Sequence, residues 1–322
     1  VFGTILRVTL TQLNAFVLVA RLGSVKAAAG ALGVSEPAVS QAIAALRKYL
    51  DDPLVVRSGS GMALTPGGTR LLAIAAQMVS LGAEAEQAVR SAKGAAQQLR
   101  LVATSTIVEF VAGPLADAFT TRSAGQVEVS SGVSSTAEMR ALVSQRLADV
   151  ALGPRLDDDR SLDLVSDPIF RAQLVVLVAA GHRLAGPPAH WPWLVEPAAT
   201  DPESDVSRLL RMLGVPEKRL SVFQNQTAAW EAAVRGGGVA PAIAHLAVHQ
   251  MRRRELQPVE LPGLPMEATW YVTTQSADRR APSAGSLRHF LGTPEAMRLL
   301  RSPGAGTPPS RFRPPVYVTI WS

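Results

Sequence analysis

Two sets of residues in this chain have types and spacings suited to recognition. The first lies in SVKAAAGALGVSEPAVSQAIAALRKYL, Ser24 to Leu50. There Glu36, Ala38, Ser40, Gln41, Ala44 and Lys48 share one helical face, small or hydrogen-bonding and almost without bulk. Gln41 can donate and accept together, which fits an adenine edge, and Pro37 and Ala38 present apolar surface to a thymine methyl. The second set is three turns rich in hydroxyls and amides: Thr104-Ser105-Thr106, Gly132-Val133-Ser134-Ser135 and Gln224-Asn225-Gln226-Thr227. A further polar run, Glu196 to Asp201, includes Thr200. At strand-to-helix turns, helix N–H groups and hydroxyls can hold an anion. Each Ser and Thr also has a plain reading as a helix cap.

The elements around the first set follow from local rules. Ser24 and Ser35 are placed as N-caps, Gly33 ends one helix, and Pro37 sits in the first turn of the next. Val39, Ile43, Leu46 and Leu50 recur at three- and four-residue steps and predict one buried face. A capped helix after a glycine turn, with small polar residues at its start, is the form that enters a DNA major groove. An ordinary two-helix hairpin fits the same pattern. Next come two β-like runs, Leu54–Arg57 and Met62–Thr65, around Ser58-Gly59-Ser60-Gly61, which read as a hairpin wing with Arg57 in reach of a phosphate. Ahead of them, Leu13, Phe16, Val17 and Ala20 form the stripe of a first helix.

In that order, residues from about Leu10 to Thr65 resemble the winged N-terminal domain of LysR-type transcriptional regulators. The matching pieces are Gln12-Leu13 with Phe16, Gly23-Ser24, Ala28-Ala29 with Leu32, and Val34-Ser35-x-Pro-Ala-Val-Ser ending at Ser40. Leu46, Arg57 and Leu64-Thr65-x-x-Gly match too. The chain departs from the family at Glu36, where Gln is usual, at Val25 and Val56, and at Arg47, where Glu is common. Glu36 bears on base preference, since that side chain should face DNA. The resemblance implies double-stranded DNA as a partner, with Ser24, Lys26, Ser35, Glu36, Pro37, Ala38, Ser40, Gln41, Lys48 and Arg57 at the interface.

Composition is consistent with this reading. The 322 residues are 47% hydrophobic and 18% charged, as in a globular protein of two or more domains. No apolar run approaches the roughly 20 residues of a membrane span, and no signal peptide is read at the N-terminus. The chain has no cysteine, hence no disulfide or thiolate metal site. The expectation is a cytoplasmic protein. Of the net +6, residues 1–98 carry nine Lys/Arg against five Asp/Glu, and residues 301–322 carry three against none. That surplus alone gives only weak, salt-sensitive DNA binding, so affinity calls for a duplicated site in a dimer.

Residues Pro66 to about Gln98 supply a dimeriser. Leu71, Ile74, Met78, Leu81, Ala85, Ala88 and Ala92 keep the mean period of a coiled-coil seam. A long helix packed on its own domain is the other reading, disfavoured because no domain yet exists to pack against. From Leu99, strands and helices alternate. The strands are Leu99–Ala103, Val127–Val129, Val150–Leu152, Leu174–Ala179, Leu220–Phe223 and Val239–Ala242. The helices run from after Thr106 to Phe119, then Ala137–Leu147, Ser204–Leu213 and Ala228–Arg235, the last stopped by Gly236-Gly237-Gly238. This predicts parallel sheets with helices on both faces.

This region resembles the LysR-type effector-binding domain, folded like a periplasmic binding protein. The expected class is α/β overall: a winged helix-turn-helix at 1–65, a linker helix at 66–98 and a two-lobed effector-binding domain at 99–300. By that resemblance, lobe I is 99–165 with 266–300, lobe II is 166–265, and crossovers near Pro168 and Pro262–Pro265 make the hinge. A homodimer or dimer of dimers is implied, and a small-molecule effector between the lobes. Candidate effector residues are Thr104, Ser105, Thr106, Ser134, Ser135, Glu196, Thr200, Gln224, Asn225 and Gln226; in relatives the Ser105 turn contacts effectors. The hydroxyl-rich, charge-poor lining suggests a small anion or carboxylate. An inward Glu196 would argue instead for an amine or hydroxyl.

Other features carry little chemistry. His245 and His249, four apart on an expected helix, have no acidic or thiol companion nearby and read as packed or surface histidines. Arg252-Arg253-Arg254 reads as a solvated helix end. No Ser/His/Asp constellation or paired-carboxylate spacing points to an enzyme, and no cofactor is expected. The alternative function class is a small-molecule binding protein or enzyme whose N-terminal helices serve only assembly. The Pro/Gly-rich tail from Ser302 is expected to be disordered or loosely attached.

Overall fold

The computed structural model describes residues 8–22, 24–58, 61–92, 96–157 and 162–302. The expectations for residues before Val8 and for the tail beyond Ser302 lie outside these. Two compact units are separated near Gln97 and Gln98.

The N-terminal unit begins with α1 (Leu10–Leu22), α2 (Val25–Leu32) and α3 (Glu36–Leu50). Helix α1 is the centre of the unit because it is apolar on two sides. Leu13, Phe16 and Val17 pack with Leu46, Leu54 and Val55, while Ala15 and Val19 pack with Ala28, Ala29, Val39 and Ile43. Val39, Ile43 and Leu46 are buried as their spacing predicts. Leu50 departs from that face and is exposed, because α3 ends there and Asp51 turns the chain with a left-handed φ of 52°. Ser35 has the extended backbone of an N-cap, but its side chain makes no cap bond; its carbonyl accepts from the Ala38 and Val39 amides.

Strands β1 (Val55–Ser58) and β2 (Gly61–Leu64) pair antiparallel and form the wing, Arg57 opposite Met62. Asp52 ties the two ends of the wing together: its carboxylate accepts from the Leu54 amide at 2.6 Å and the Thr65 hydroxyl at 2.7 Å. Those donors hold its pKa below the ordinary carboxyl value. Arg47, one of the four departures from the family pattern, donates to the Val55 carbonyl at 3.0 Å and so links α3 to β1. Helix α4 spans Pro66–Ala92, ending before the expected Gln98. Its second glycine, Gly68, is required by close approach, since a Cβ there would lie 2.1 Å from the Leu54 carbonyl oxygen.

The seam on α4 differs from the expectation. The unit does offer a surface to pack against: Ala75 and Ala76 are fully buried in the core with α1, and Leu71 and Met78 lean partly onto it. Ile74 and Leu81 stay exposed, joined further along by Val89.

The second unit is built on β3 (Gln97–Ala103), β4 (Val127–Val133), β5 (Val150–Gly153), β6 (Leu164–Ala179), β9 (Ala240–Ile243), β10 (Leu256–Pro258) and β11 (Met266–Gln275). These form one seven-stranded sheet in the order β10-β6-β11-β5-β3-β4, with β9 also on β6. The parallel expectation holds for β3 with β5, but β6, β9, β10 and β11 pair antiparallel, so the sheet is mixed. Pro168 is not in a separate crossover. It lies inside the long strand β6, opposite Tyr271 and beside a bulge at Trp270/Tyr271, where a missing N–H is tolerated. The first part of β6 pairs with the later half of β11, in lobe I, and the later part with the first half of β11, in lobe II. Two continuous antiparallel strands therefore join the lobes. A parallel pair, β7 (Trp193–Val195) and β8 (Leu220–Val222), completes lobe II.

The helices that face the other lobe start at these strand ends. In lobe I, α5 (Ser105–Ile107) runs through a π turn, Val108–Ala112, into α6 (Gly113–Arg122), and α7 spans Thr136–Ser144. In lobe II, α8 is Asp205–Met212 and α9 is Gln226–Val234; α10 (Val248–Arg252) follows β9. Helices α11 (Pro282–Leu291) and α12 (Pro294–Arg301) return to lobe I, where Phe290 meets Phe119 at a ring separation of 5.6 Å. His245 precedes α10 in a turn rather than sharing a helix with His249, and it packs against Phe170 and Trp270. Burial holds its pKa below the ordinary value. Among the described residues no cluster of three His, Cys, Asp or Glu could hold a metal, and no helix is long and apolar enough to cross a membrane.

Candidate functional site

The outer face of α3 carries Glu36, Pro37, Ala38, Ser40, Gln41, Ala44 and Lys48, all exposed. The same helix buries Val39, Ile43 and Leu46, so its polar face is presented by a rigid element. Lys26 and Ser35 are also exposed, Ser24 is half-buried, and the side chain of Arg57 lies outside the described residues. The Gly33 turn, with φ of 64°, separates α2 from α3 as a helix-turn-helix requires.

In the second unit an open cleft lies between the lobes. Its polar lining includes Thr104, Thr106, Glu196, Asp205 and Gln226, and its walls include Leu174, Ile243 and Trp270. Glu196 is 2% exposed. It accepts from the Ser105 hydroxyl, from Thr106 Oγ1 at 3.1 Å and from the Ala198 amide at 3.4 Å. Burial pushes its pKa up against the pull of those donors. The cleft is thus bridged from lobe I to lobe II by a carboxylate of the chain itself.

The same device recurs beside it. Glu109, in the π turn, accepts from the α9 amides of Gln226 at 2.9 Å and Thr227 at 3.0 Å, and from the Thr227 hydroxyl. Its pKa is pushed up to about 7, by burial first and by the Glu196 charge last, against the Thr227 and Gln226 donors. Asp201 of lobe II accepts from the Thr136 amide at 2.7 Å and hydroxyl at 2.6 Å, at the start of α7. Arg140 then pairs with Glu203 through two bonds of 2.8 and 3.2 Å. Phe110 and Trp230, ring centroids 5.4 Å apart, add an apolar contact between the lobes.

The helix-turn-helix and the two-lobed domain that follows it are both matched by models of one family. Its model for the bacterial regulatory helix-turn-helix protein, lysR family, matches residues 10–69, and the LysR substrate binding domain matches residues 92–293. The chain belongs to the LysR family. It is a DNA-binding transcriptional regulator with an effector-binding domain. The HTH-type transcriptional regulator Rv0377 of Mycobacterium tuberculosis is 36% identical over 322 residues, covering 98% of this chain and 100% of that one. CfxR of Cupriavidus necator is 27% identical over 88% of this chain and 90% of its own. Among solved structures, CbnR, a LysR family transcriptional regulator, superposes with a TM-score of 0.58 at 18% identity, covering 88% of this chain and 98% of that one. A full-length OxyR variant from Pseudomonas aeruginosa gives 0.56 at 19% identity, covering 94% and 100%. These two likenesses speak for the fold.

Within this LysR-family domain, Thr104, Thr106, Glu196 and Gln226 come together in the cleft lining, and Ser105 reaches it through Glu196. The other candidates do not line it. Ser135 and Glu138 form a capping box on α7, with the Ser135 amide donating to Glu138 at 2.8 Å. Asn225 caps α9 by accepting from the Ala228 amide at 2.9 Å. Thr200 bonds its own turn at Pro197, Gln224 is exposed, and Ser134 is buried with its hydroxyl unpartnered in the structure. Asp201 fell inside the polar run from Glu196 that the sequence singled out, whereas sequence reasoning missed Glu109, Asp205 and Trp270. A Glu within an apolar stretch, as in Ile107-Val108-Glu109-Phe110, was the one signal that could have flagged the first.

Proposed function

We propose that this regulator reads operator DNA with the exposed face of α3 and is switched by a small-molecule effector held between the lobes. The observation that carries the reading is the sidedness of α3: Gln41 and its neighbours exposed, Val39, Ile43 and Leu46 buried. The wing lies behind it, and a LysR family protein of the same fold, CbnR, has been solved as a complex with its target DNA, at a TM-score of 0.57. Ser24, Lys26, Ser35 to Ala38, Ser40, Gln41, Lys48 and Arg57 are the interface residues of this reading.

The functional divisions are a DNA-binding domain at 1–65, a linker at 66–98, an effector domain at 99–300 and a tail at 301–322. Two copies associate through the exposed stripe of Ile74, Leu81 and Val89 on α4, doubling the recognition helices as a two-half-site operator demands. The protein acts in the cytoplasm and catalyses no reaction. The effector alters DNA binding only by preferring one arrangement of the lobes over another. A gel-shift with the DNA upstream of the protein's own gene tests the reading. Binding of one fragment over competitor DNA is expected; equal binding of all fragments would refute it.

A further inference from the structure

We propose that the cleft takes an organic cation, a protonated amine or guanidine on an apolar body, with its charged head at Glu196 and its body against Trp270, Leu174 and Ile243. The proposal rests on reading the cleft as the effector site and names the ligand class. Glu196 and Asp205 line the cleft, whereas among the described residues no Lys, Arg or His does. Asp205 already pairs with Arg208 at 2.7 Å, so the carboxyl left without a cationic partner is that of Glu196. All its donors, Ser105, Thr106 and the Ala198 amide, are neutral, and among the described residues it makes no ion pair. A carboxylate accepts about four hydrogen bonds. Three are filled, two of them on Oε2, so Oε1 keeps capacity for a donor from the cleft. A buried carboxylate without a cation is costly, and burial already raises the pKa of this one; a cationic donor relieves that cost.

At two of the three helix starts the donors that would welcome an anion are already occupied. The α9 amides of Gln226 and Thr227 hold Glu109, and the Thr136 amide of α7 holds Asp201. An anionic ligand at either of these starts would have to displace a tethered carboxylate, and at the Ser105 turn it would bring a second negative charge beside Glu196. The apolar walls fix the rest of the ligand: Leu174 and Ile243 supply aliphatic surface, and Trp270 an aromatic one that also favours a cation.

The test uses the full chain and matched probes. Tryptamine, benzylamine and butylamine are compared with indole-3-acetate, benzoate and butyrate by thermal shift and calorimetry. The amines are expected to raise the melting temperature and to bind about tenfold or more tightly than the acids of the same skeleton. Glu196→Gln should erase that preference. The amine–acid comparison on the unaltered chain stands even if this variant fails to fold. Acids binding as well as amines, or no amine binding, would overturn the cationic class. Thr269→Trp, which fills the cleft, separates the two ideas. Acid binding lost in that variant keeps the cleft as effector site and rejects the cation; amine binding that survives it rejects the cleft itself.

Discussion

The hydroxyl of Ser105 donates to the carboxylate of Glu196 across the two lobes, and both residues are buried. The turn at which a ligand's oxygen was expected therefore holds an oxygen of the protein. Thr106 and the Ala198 amide complete the cradle, so the bond is part of a network rather than a lone contact. In the proposed mode an effector would extend or exchange these bonds, and that difference in contacts would give it leverage over the lobes.

Ser105→Ala leaves the buried Glu196 with fewer donors and should destabilise the effector domain by about 1–2 kcal/mol in chemical denaturation. In a double-mutant cycle with Glu196→Gln, the two changes should be clearly non-additive. Additive effects would mean that the hydroxyl and the carboxylate do not interact energetically.

Glu109 makes stability depend on pH. Its folded-state pKa of about 7 lies above the ordinary 4.5, so the folded domain binds this proton more tightly than the unfolded chain. The contribution is full below about pH 4.5 and is lost as pH rises through about 7. Glu109→Gln should flatten that part of the stability curve, removing a fall of on the order of 2–3 kcal/mol between pH 5 and 8. Equal slopes for the variant and the unaltered chain would show that another group titrates.

Gln41→Ala should cost about 1–3 kcal/mol of operator affinity, concentrated at one base position. Competition gel-shifts with single-base operator variants measure it. Affinity and base preference both unchanged would place the docking face elsewhere on α3.

Ile74→Glu together with Leu81→Glu should convert dimers to monomers in light scattering and abolish binding to a two-half-site operator, with the unit still folded by circular dichroism. Met78 is half-buried within its own unit, so Met78→Glu should lower the melting temperature instead. A double variant that remains dimeric would sink the stripe as an interface.

The helix-turn-helix was legible in the residues because each of its features is local. Pro37 near the start of α3, Gly33 with its positive φ and apolar steps of three and four between Val39 and Leu46 act within a turn or two of helix. Even there, tertiary context set the details: Leu50 fell at a helix end and became exposed, and α1 drew Ala75 and Ala76 of α4 into the core, turning Ile74 and Leu81 outward.

The alternation of strands and helices from Leu99 onward, and the hydroxyl-rich turns at Thr104 and Gln226, could likewise be read along the chain. Their partners could not. Glu196 lies 91 residues from Ser105, and Glu109 lies 118 residues from Thr227, so no periodicity or spacing relates them. A side chain's local pattern sets its direction on a helix or strand, but which groups meet, and whether a carboxylate is left buried without a cation, depends on how the lobes pack. The family, helix α3 with its polar face and the positions of the turns were therefore written in local residue order. That β6 and β11 join the lobes as continuous strands emerged only from the packed chain, as did the chain's own carboxylates at the helix starts on either side of the cleft.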